Sequence, residues 1–99
     1  MVDRERVLRI LAAHRAEFQE MGVRELSILG SLARGEATEA SDVDVLVDYE
    51  PGTSLSFFRV CDLRYKIEDP LGAQVDLVTT GGLRPEIRDE VLREAIRAA

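Results

Sequence analysis

Three short segments of the sequence alternate between polar and apolar residues, and this period of two constrains the fold more than any other feature. Residues 24–30 place Leu26 and Ile28 on one face of a strand. Residues 42–49 begin with aspartate and valine in alternation, and residues 73–79 form the third run. The sequence therefore predicts three strands.

Segments with apolar residues at spacings of three and four separate these strands, and the spacing predicts helices at about residues 3–21, 54–68 and 85–97. We expect Asp69-Pro70 to end the second helix, because the residue before a proline disfavours helical angles. The last helix has an apolar face of Ile87, Val91, Leu92, Ala95 and Ile96. The order helix, strand, turn, strand, helix, strand, helix favours the α/β class, in one domain over residues 1–99.

The charge balance limits the classes of binding partner that the sequence favours. Nineteen acidic and thirteen basic side chains give a net charge of -6, which argues against direct nucleic-acid binding through phosphate neutralisation. An acidic protein can still hold a nucleotide when metal ions supply positive charge. No apolar run is long enough for a membrane span, and the first residues lack the apolar region of a signal peptide. We therefore expect a cytoplasmic protein.

Asp42 and Asp44 carry the strongest chemical signal. Residues two apart on a strand project from the same face, so both carboxylates point one way. Such a pair repels itself unless a cation lies between the charges, and Mg²⁺ commonly takes one or two carboxylates together with substrate phosphates. The alternative is a polar strand with two solvated acids.

Asp76 interrupts the apolar third run, where an unpaired buried carboxylate is costly. If this strand lies beside the second one, Asp76 completes a cluster suited to two metal ions about 3.5–4 Å apart, or it accepts the proton of an attacking hydroxyl. The alternative is a solvent-facing acid. Asp48 shares the parity of Asp44 but lies about 13 Å along the strand, too far to share its metals.

Gly30-Ser31 ends the first strand and begins a turn or half-helix. Glycine lets the backbone approach a ligand, and the free N–H groups and the Ser31 hydroxyl are donors for phosphate oxygens. The alternative is a plain turn with Ser31 as helix cap. Arg34, one turn later, is a candidate for contacting a phosphate or bracing an aspartate, or is a surface arginine paired with Glu36.

Together these residues resemble the signature of the nucleotidyltransferase (polymerase beta-like) superfamily, in which Gly-Ser precedes Asp-x-Asp by about ten residues and a third acid follows. The wider sequence is similar to the minimal nucleotidyltransferases. The resemblance rests on GSLARGEA at residues 30–37, SDVDVLV at 41–47, VDLV at 75–78 and LRPEIR at 83–88.

The resemblance implies a minimal nucleotidyltransferase fold, a small mixed sheet of three or more strands packed by helices. It implies that Gly30 and Ser31 hold the triphosphate of ATP, that Asp42 and Asp44 bind Mg²⁺, and that Asp76 completes the metal site or acts as base. Family members commonly are antitoxins that transfer AMP to a tyrosine of a HEPN-domain ribonuclease toxin encoded by a neighbouring gene.

Two other functions remain open at the level of sequence. The chain could neutralise such a toxin mainly by stoichiometric binding, or it could transfer a nucleotide to a small molecule. Enzymes of the second kind usually carry a further domain for the acceptor. A chain of 99 residues leaves no room for one, which favours an acceptor on a protein partner.

Overall fold

The computed structural model describes residues 3–36, 42–54 and 56–99. In chain order its elements are α1 (Arg4–Ala13), α2 (Arg15–Glu20), β1 (Val23–Leu29), α3 (Gly30–Ala33), β2 (Val43–Tyr49), α4 (Phe57–Leu71), β3 (Val75–Thr79), a 3-10 turn (Thr80–Gly82), α5 (Pro85–Glu94) and β4 (Ile96–Arg97). The polar loop predicted after the half-helix falls largely at residues 37–41, outside the described residues.

The four strands form one mixed sheet in the order β3-β2-β1-β4. Strand β1 pairs antiparallel with both β2 and β4, whereas β2 and β3 run parallel. The parallel pair needs a long crossover, and α4 provides it. The mixed sheet packed by helices confirms the predicted fold class.

The two faces of the sheet have different partners. One face carries the valines of β2 (Val43, Val45 and Val47), which join the helical residues Leu11, Phe18, Leu63 and Ile67 in the buried core. The opposite face carries Asp44, Leu46 and Asp48 on β2, and α5 lies along it. Because aspartate and valine alternate along β2, the valines face the core and the aspartates lie on the face of the sheet next to α5.

The predicted first helix is divided into two. The backbone leaves helical angles at His14, with φ −102 and ψ 15, and α2 begins one residue later. Leu11 and Phe18 are both buried. Their separation of seven residues fits one helical face, so the periodicity does not reveal the break. The His14 side chain is half-buried, and its Nδ1 lies 3.2 Å from Oε2 of Glu17.

The prediction that Asp69-Pro70 ends the second helix was wrong. Helix α4 continues through Pro70 to Leu71 and ends at Gly72, which adopts left-handed angles. Leu71 is buried in the core, and the N–H of Gly72 donates to the carbonyl of Glu68 at 2.8 Å. Core packing and this cap offset the unfavourable angles imposed by proline.

In the described ranges, no helix combines the length and apolar character needed to cross a membrane.

The last predicted helix was too long. Helix α5 ends at Glu94, Ala95 is extended with ψ 137, and Ile96 and Arg97 form β4 against Ile28 and Ser27 of β1. A pairing between residues about seventy positions apart has no local signal in the sequence, and the apolar Ile96 fits both a helical stripe and a strand.

Candidate active site

Three neighbouring strand positions, Leu29, Asp44 and Asp76, lie side by side in the sheet. Asp44 of β2 is in register with Leu29 of β1 on one side and with Asp76 of β3 on the other. The second and third strands are therefore adjacent, which was the condition for a role of Asp76, and Asp76 lies directly beside Asp44. Asp42 precedes β2 at the same end of the sheet and shares the parity of Asp44.

The three carboxylates differ in their surroundings. Asp44 is half-buried, whereas Asp42 and Asp76 are exposed. Burial raises the pKa of the Asp44 carboxyl, and the negative charges of Asp76 and then Asp42 raise that pKa further. An ionised Asp44 is thus held at a cost in the isolated chain, and a cation placed between these oxygens would remove that cost.

The predicted three-carboxylate cluster is only partly assembled. Within the described ranges, no three His, Cys, Asp or Glu side chains converge closely enough to hold a metal ion. The donor chemistry nevertheless fits Mg²⁺, since all three groups offer oxygen ligands and Asp44 and Asp76 are register partners. Asp44 and its two acidic neighbours are therefore the residues that would hold the ion.

Gly30 is required by its contact with Asp44. Its φ is +64°, a value that side chains other than glycine rarely adopt, and a Cβ at this position would lie 2.6 Å from Oδ2 of Asp44. The backbone at the end of β1 therefore passes directly against the catalytic candidate. Any ligand held at Gly30 would lie beside that carboxylate.

Ser31 lies in the four-residue helix α3 immediately after Gly30. The alternative role of Ser31 as helix cap does not apply, because Leu29 occupies the cap position and no side chain caps the helix. The other end of α3 is held by Arg4 of α1, whose Nη1 donates to the carbonyl of Ala33 at 3.0 Å. The Gly30-Ser31 turn is thus anchored on both sides.

Arg34 follows α3 and is exposed. Its Nε donates to Oε2 of Glu36 at 3.2 Å, and its Nη1 lies 3.8 Å from Oε2 of Glu94 on α5. The structure therefore places Arg34 against two glutamates. The predicted pair with Glu36 is present, and the side chain bridges from the Gly30-Ser31 turn to α5.

Asp48, which strand spacing excluded from the metal site, is occupied elsewhere. It accepts hydrogen bonds from the Arg24 guanidinium and from the Thr80 hydroxyl, the latter at 3.1 Å. This carboxylate ties β2 to β1 and to the turn after β3. Asp48 therefore makes side-chain hydrogen bonds that Asp44 does not make to the residues the structure describes.

A cleft of about 630 Å³ opens between α5 and the sheet. Its floor consists of Leu29, Gly30, Asp44 and Val78, and its other wall consists of Leu83 and Arg84, which precede α5, and of Ile87, Val91 and Glu94 of α5. We call this the α5 cleft. Ile87 and Val91 belong to the predicted apolar face of the last helix, but the position of that face opposite Asp44 was not predicted. The only sequence signal was its position directly after the strand of Asp76.

The glycine packed against one of two neighbouring aspartates, on a mixed sheet beside the α5 cleft, is an arrangement suited to phosphate chemistry. The sequence profile of the family described as Nucleotidyltransferase domain matches residues 11–98. The chain therefore belongs to the nucleotidyltransferase family and is an enzyme of that class.

Individual relatives sharpen this assignment. The chain is 45% identical over 97 residues to the protein adenylyltransferase MntA of Thermococcus cleftensis, covering 97% of this chain and 96% of that one. A solved structure described as a minimal nucleotidyltransferase has a TM-score of 0.82 at 38% identity, with 96% and 95% of the two chains covered. The resemblance to the minimal nucleotidyltransferases is confirmed.

A solved toxin-antitoxin structure with AMP-PNP shares the fold. Its TM-score is 0.69, and the match covers 99% of this chain and 73% of that one. The identity is 17%, so this likeness concerns the arrangement of elements alone.

Proposed function

We propose that the protein transfers AMP from ATP to a tyrosine hydroxyl of a HEPN-domain toxin, with Mg²⁺ as cofactor, and so acts as an antitoxin. The contact between Gly30 and Asp44 carries the proposal, because it brings the Gly30-Ser31 turn directly against a carboxyl group whose pKa is raised by burial and by the charges of Asp76 and Asp42. The name of the Thermococcus cleftensis relative, a protein adenylyltransferase, supports a protein acceptor.

In this proposal the donor nucleotide occupies the α5 cleft. The backbone N–H groups that follow Gly30 and the Ser31 hydroxyl donate to oxygens of the β- and γ-phosphates. The apolar wall of Leu83, Ile87 and Val91 covers the nucleoside. When bound, two Mg²⁺ ions would neutralise the phosphate charge at Asp42, Asp44 and Asp76.

The acceptor oxygen attacks the α-phosphorus of ATP. The new bond joins the tyrosine oxygen to phosphorus, and the bond from phosphorus to the pyrophosphate oxygen breaks with its electron pair leaving on pyrophosphate. Asp76 is exposed beside Asp44 and accepts the hydroxyl proton. Since ATP is a cytosolic metabolite, the reaction belongs in the cytoplasm.

Incubation with ATP labelled at the α-phosphate, Mg²⁺ and the HEPN-domain protein encoded beside this chain tests the proposal. Label and a mass increment of one AMP on a tyrosine are the expected result. Asp44→Asn should abolish both the label and the mass increment. The matched variant Asp89→Asn, which changes an exposed aspartate of α5, should retain them. Labelling that persists in Asp44→Asn, or no transfer by a folded wild-type pair, would refute it.

A second candidate, inhibition by stoichiometric binding, is favoured by one observation. Phe57 and Phe58 at the start of α4 are each 77% exposed and contact one another edge to face at 5.9 Å. Exposed aromatic side chains are typical of protein contact surfaces. If binding alone inhibits, toxin inhibition should survive Asp42→Ala with Asp44→Ala and be lost in Phe57→Ser with Phe58→Ser.

A further inference from the structure

A second cleft lies on the other side of the paired aspartates. It has a volume of about 310 Å³ and is lined by Asp42, Arg64, Glu68, Gln74, Val75 and Asp76. We call it the β3-edge cleft, since β3 is the edge strand of the sheet formed by the described residues. Its volume is half that of the α5 cleft, so it suits a side chain better than a whole nucleotide.

The geometry of displacement at phosphorus assigns a direction to each cleft. The attacking and leaving oxygens lie roughly in line, on opposite sides of the phosphorus. In the sheet order, β2 lies between β1 and β3. Gly30, which follows β1, therefore lies on one side of Asp44, and Asp76 of β3 lies on the other side. Adjacent strands are about 4.8 Å apart, so β1 and β3 are separated by about 10 Å.

In the proposed function, on which this inference rests, pyrophosphate leaves on the Gly30 side. The acceptor hydroxyl then must approach from the β3 side, where Asp76 accepts its proton. The β3-edge cleft is the opening on that side, because Asp42 and Asp76 form part of its wall. We propose that it receives the acceptor tyrosine of the partner protein and that Arg64 is the positioning residue for that ring.

Arg64 is suited to hold a flat aromatic ring. Its Cζ lies 5.3 Å from the centroid of the Tyr65 ring, and Nε is buried with no hydrogen-bond partner among the described residues. Guanidinium groups stack on aromatic faces, and their planar shape makes lysine a poor substitute. Arg64 is the one cation among the lining residues of this cleft within the described part of the chain.

The wall beside Arg64 is rigid. Oε2 of Glu68 accepts a hydrogen bond from the backbone N–H of Val75 at 2.8 Å, which ties α4 to the start of β3. Leu63 and Ile67, on the adjacent face of α4, are fully buried. The backbone of α4 at Arg64 is therefore held against the start of β3 by core packing and by this hydrogen bond.

Steady-state kinetics with the partner protein test the role of Arg64. With saturating ATP, Arg64→Ala should raise the KM for the HEPN-domain protein about tenfold or more, equivalent to about 1.4 kcal/mol. The KM for ATP and the Kd for AMP-PNP should stay within about twofold, which general loss of structure would not allow. Arg64→Lys should restore little, because it retains charge without the planar group.

The matched control is Arg93→Ala, which removes the same charge from an exposed position on α5, two residues beyond the cleft-lining Val91 and so about 200° around the helix. Calorimetric binding of the HEPN-domain protein to AMP-PNP-loaded enzyme separates this inference from the proposed function. Weaker binding by Arg64→Ala than by Arg93→Ala supports it even if no AMP is transferred. Equal binding by the two variants, or a parallel loss of AMP-PNP affinity in Arg64→Ala, overturns it.

Discussion

The backbone of Gly30 lies so close to Asp44 that a side chain at position 30 would collide with the Asp44 carboxylate. The absent side chain of Gly30 leaves the space that Oδ2 of Asp44 occupies, 2.6 Å from where a Cβ would stand. The contact joins the end of β1 to the start of β2. It therefore makes the Gly30-Ser31 turn and the Asp44 carboxylate one structural unit.

Replacement of Gly30 by alanine should inactivate the enzyme. The positive φ costs about 1–2 kcal/mol for a residue with a side chain, and the new methyl group must displace Asp44. Gly72→Ala is the matched control, because Gly72 has φ +66 and no atom of the other described residues approaches its Cβ position within 4 Å. Both variants should lose stability to a similar extent in thermal unfolding, and only Gly30→Ala should lose AMP transfer. Equal activity in the two would contradict the proposed contact.

Asp44→Asn should abolish transfer while raising the stability of the metal-free protein. Burial and the charges of Asp76 and Asp42 raise the pKa of Asp44 in the folded state, so the ionised carboxylate opposes folding at neutral pH. Removing the charge should increase Tm by about 2–4 °C, the size of effect typical of a partly exposed site. Differential scanning fluorimetry without metal measures this, and a lower Tm would count against it.

The pH dependence of the wild type follows from the same shift. A carboxyl group whose folded-state pKa is raised contributes stability when protonated, below its unfolded value near 3.8, and loses that contribution as pH rises through the folded-state pKa. Metal-free wild type should therefore lose stability over this window relative to Asp44→Asn. Added Mg²⁺ should stabilise the wild type and have much less effect on the variant.

Asp76→Ala should reduce activity and Asp48→Ala should reduce stability, although the two aspartates lie on adjacent strands and on the same face of the sheet. Asp76 is exposed, so its loss should leave Tm nearly unchanged while transfer falls about 100-fold or more. Asp48 bonds to Arg24 and Thr80, so its loss should lower stability by about 0.5–1.5 kcal/mol and leave kcat within about twofold. Chemical denaturation and initial rates give both values.

Ile87 and Leu92 offer a matched test of the α5 cleft. The two side chains are 45% and 44% exposed, but Ile87 lines the α5 cleft and Leu92 lies on the other flank of the helix. Ile87→Ala should raise the KM for ATP about fivefold through lost apolar contact. Leu92→Ala should not. A nucleotide bound elsewhere would leave both variants like the wild type.

Parity and residue type predicted much of the candidate site. Alternation along residues 42–49 shows from sequence alone that Asp42 and Asp44 share a face and that the valines face the core. Spacing along the strand excludes Asp48 in the same way. The faces assigned to the residues of β2 are correct because the period of a strand is a local property of the backbone.

Long-range contacts were beyond the reach of the same reasoning. The pairing of Ile96 and Arg97 with β1, and the continuation of α4 through Pro70, are both decided by packing against residues distant in the chain. Local preference favours a helix in the first case and a helix end in the second, and tertiary contacts override both.

The sequence by itself determined the chemistry of this protein, namely oxygen donors on one strand face, a third acid on a later strand and a glycine turn ahead of them. Only the tertiary structure decided the geometry. It set Asp76 beside Asp44, pressed Gly30 against that carboxylate and placed α5 and Arg64 on opposite sides of it. The physical reason is that side-chain direction follows from local backbone period, whereas strand order and register depend on burying a common core.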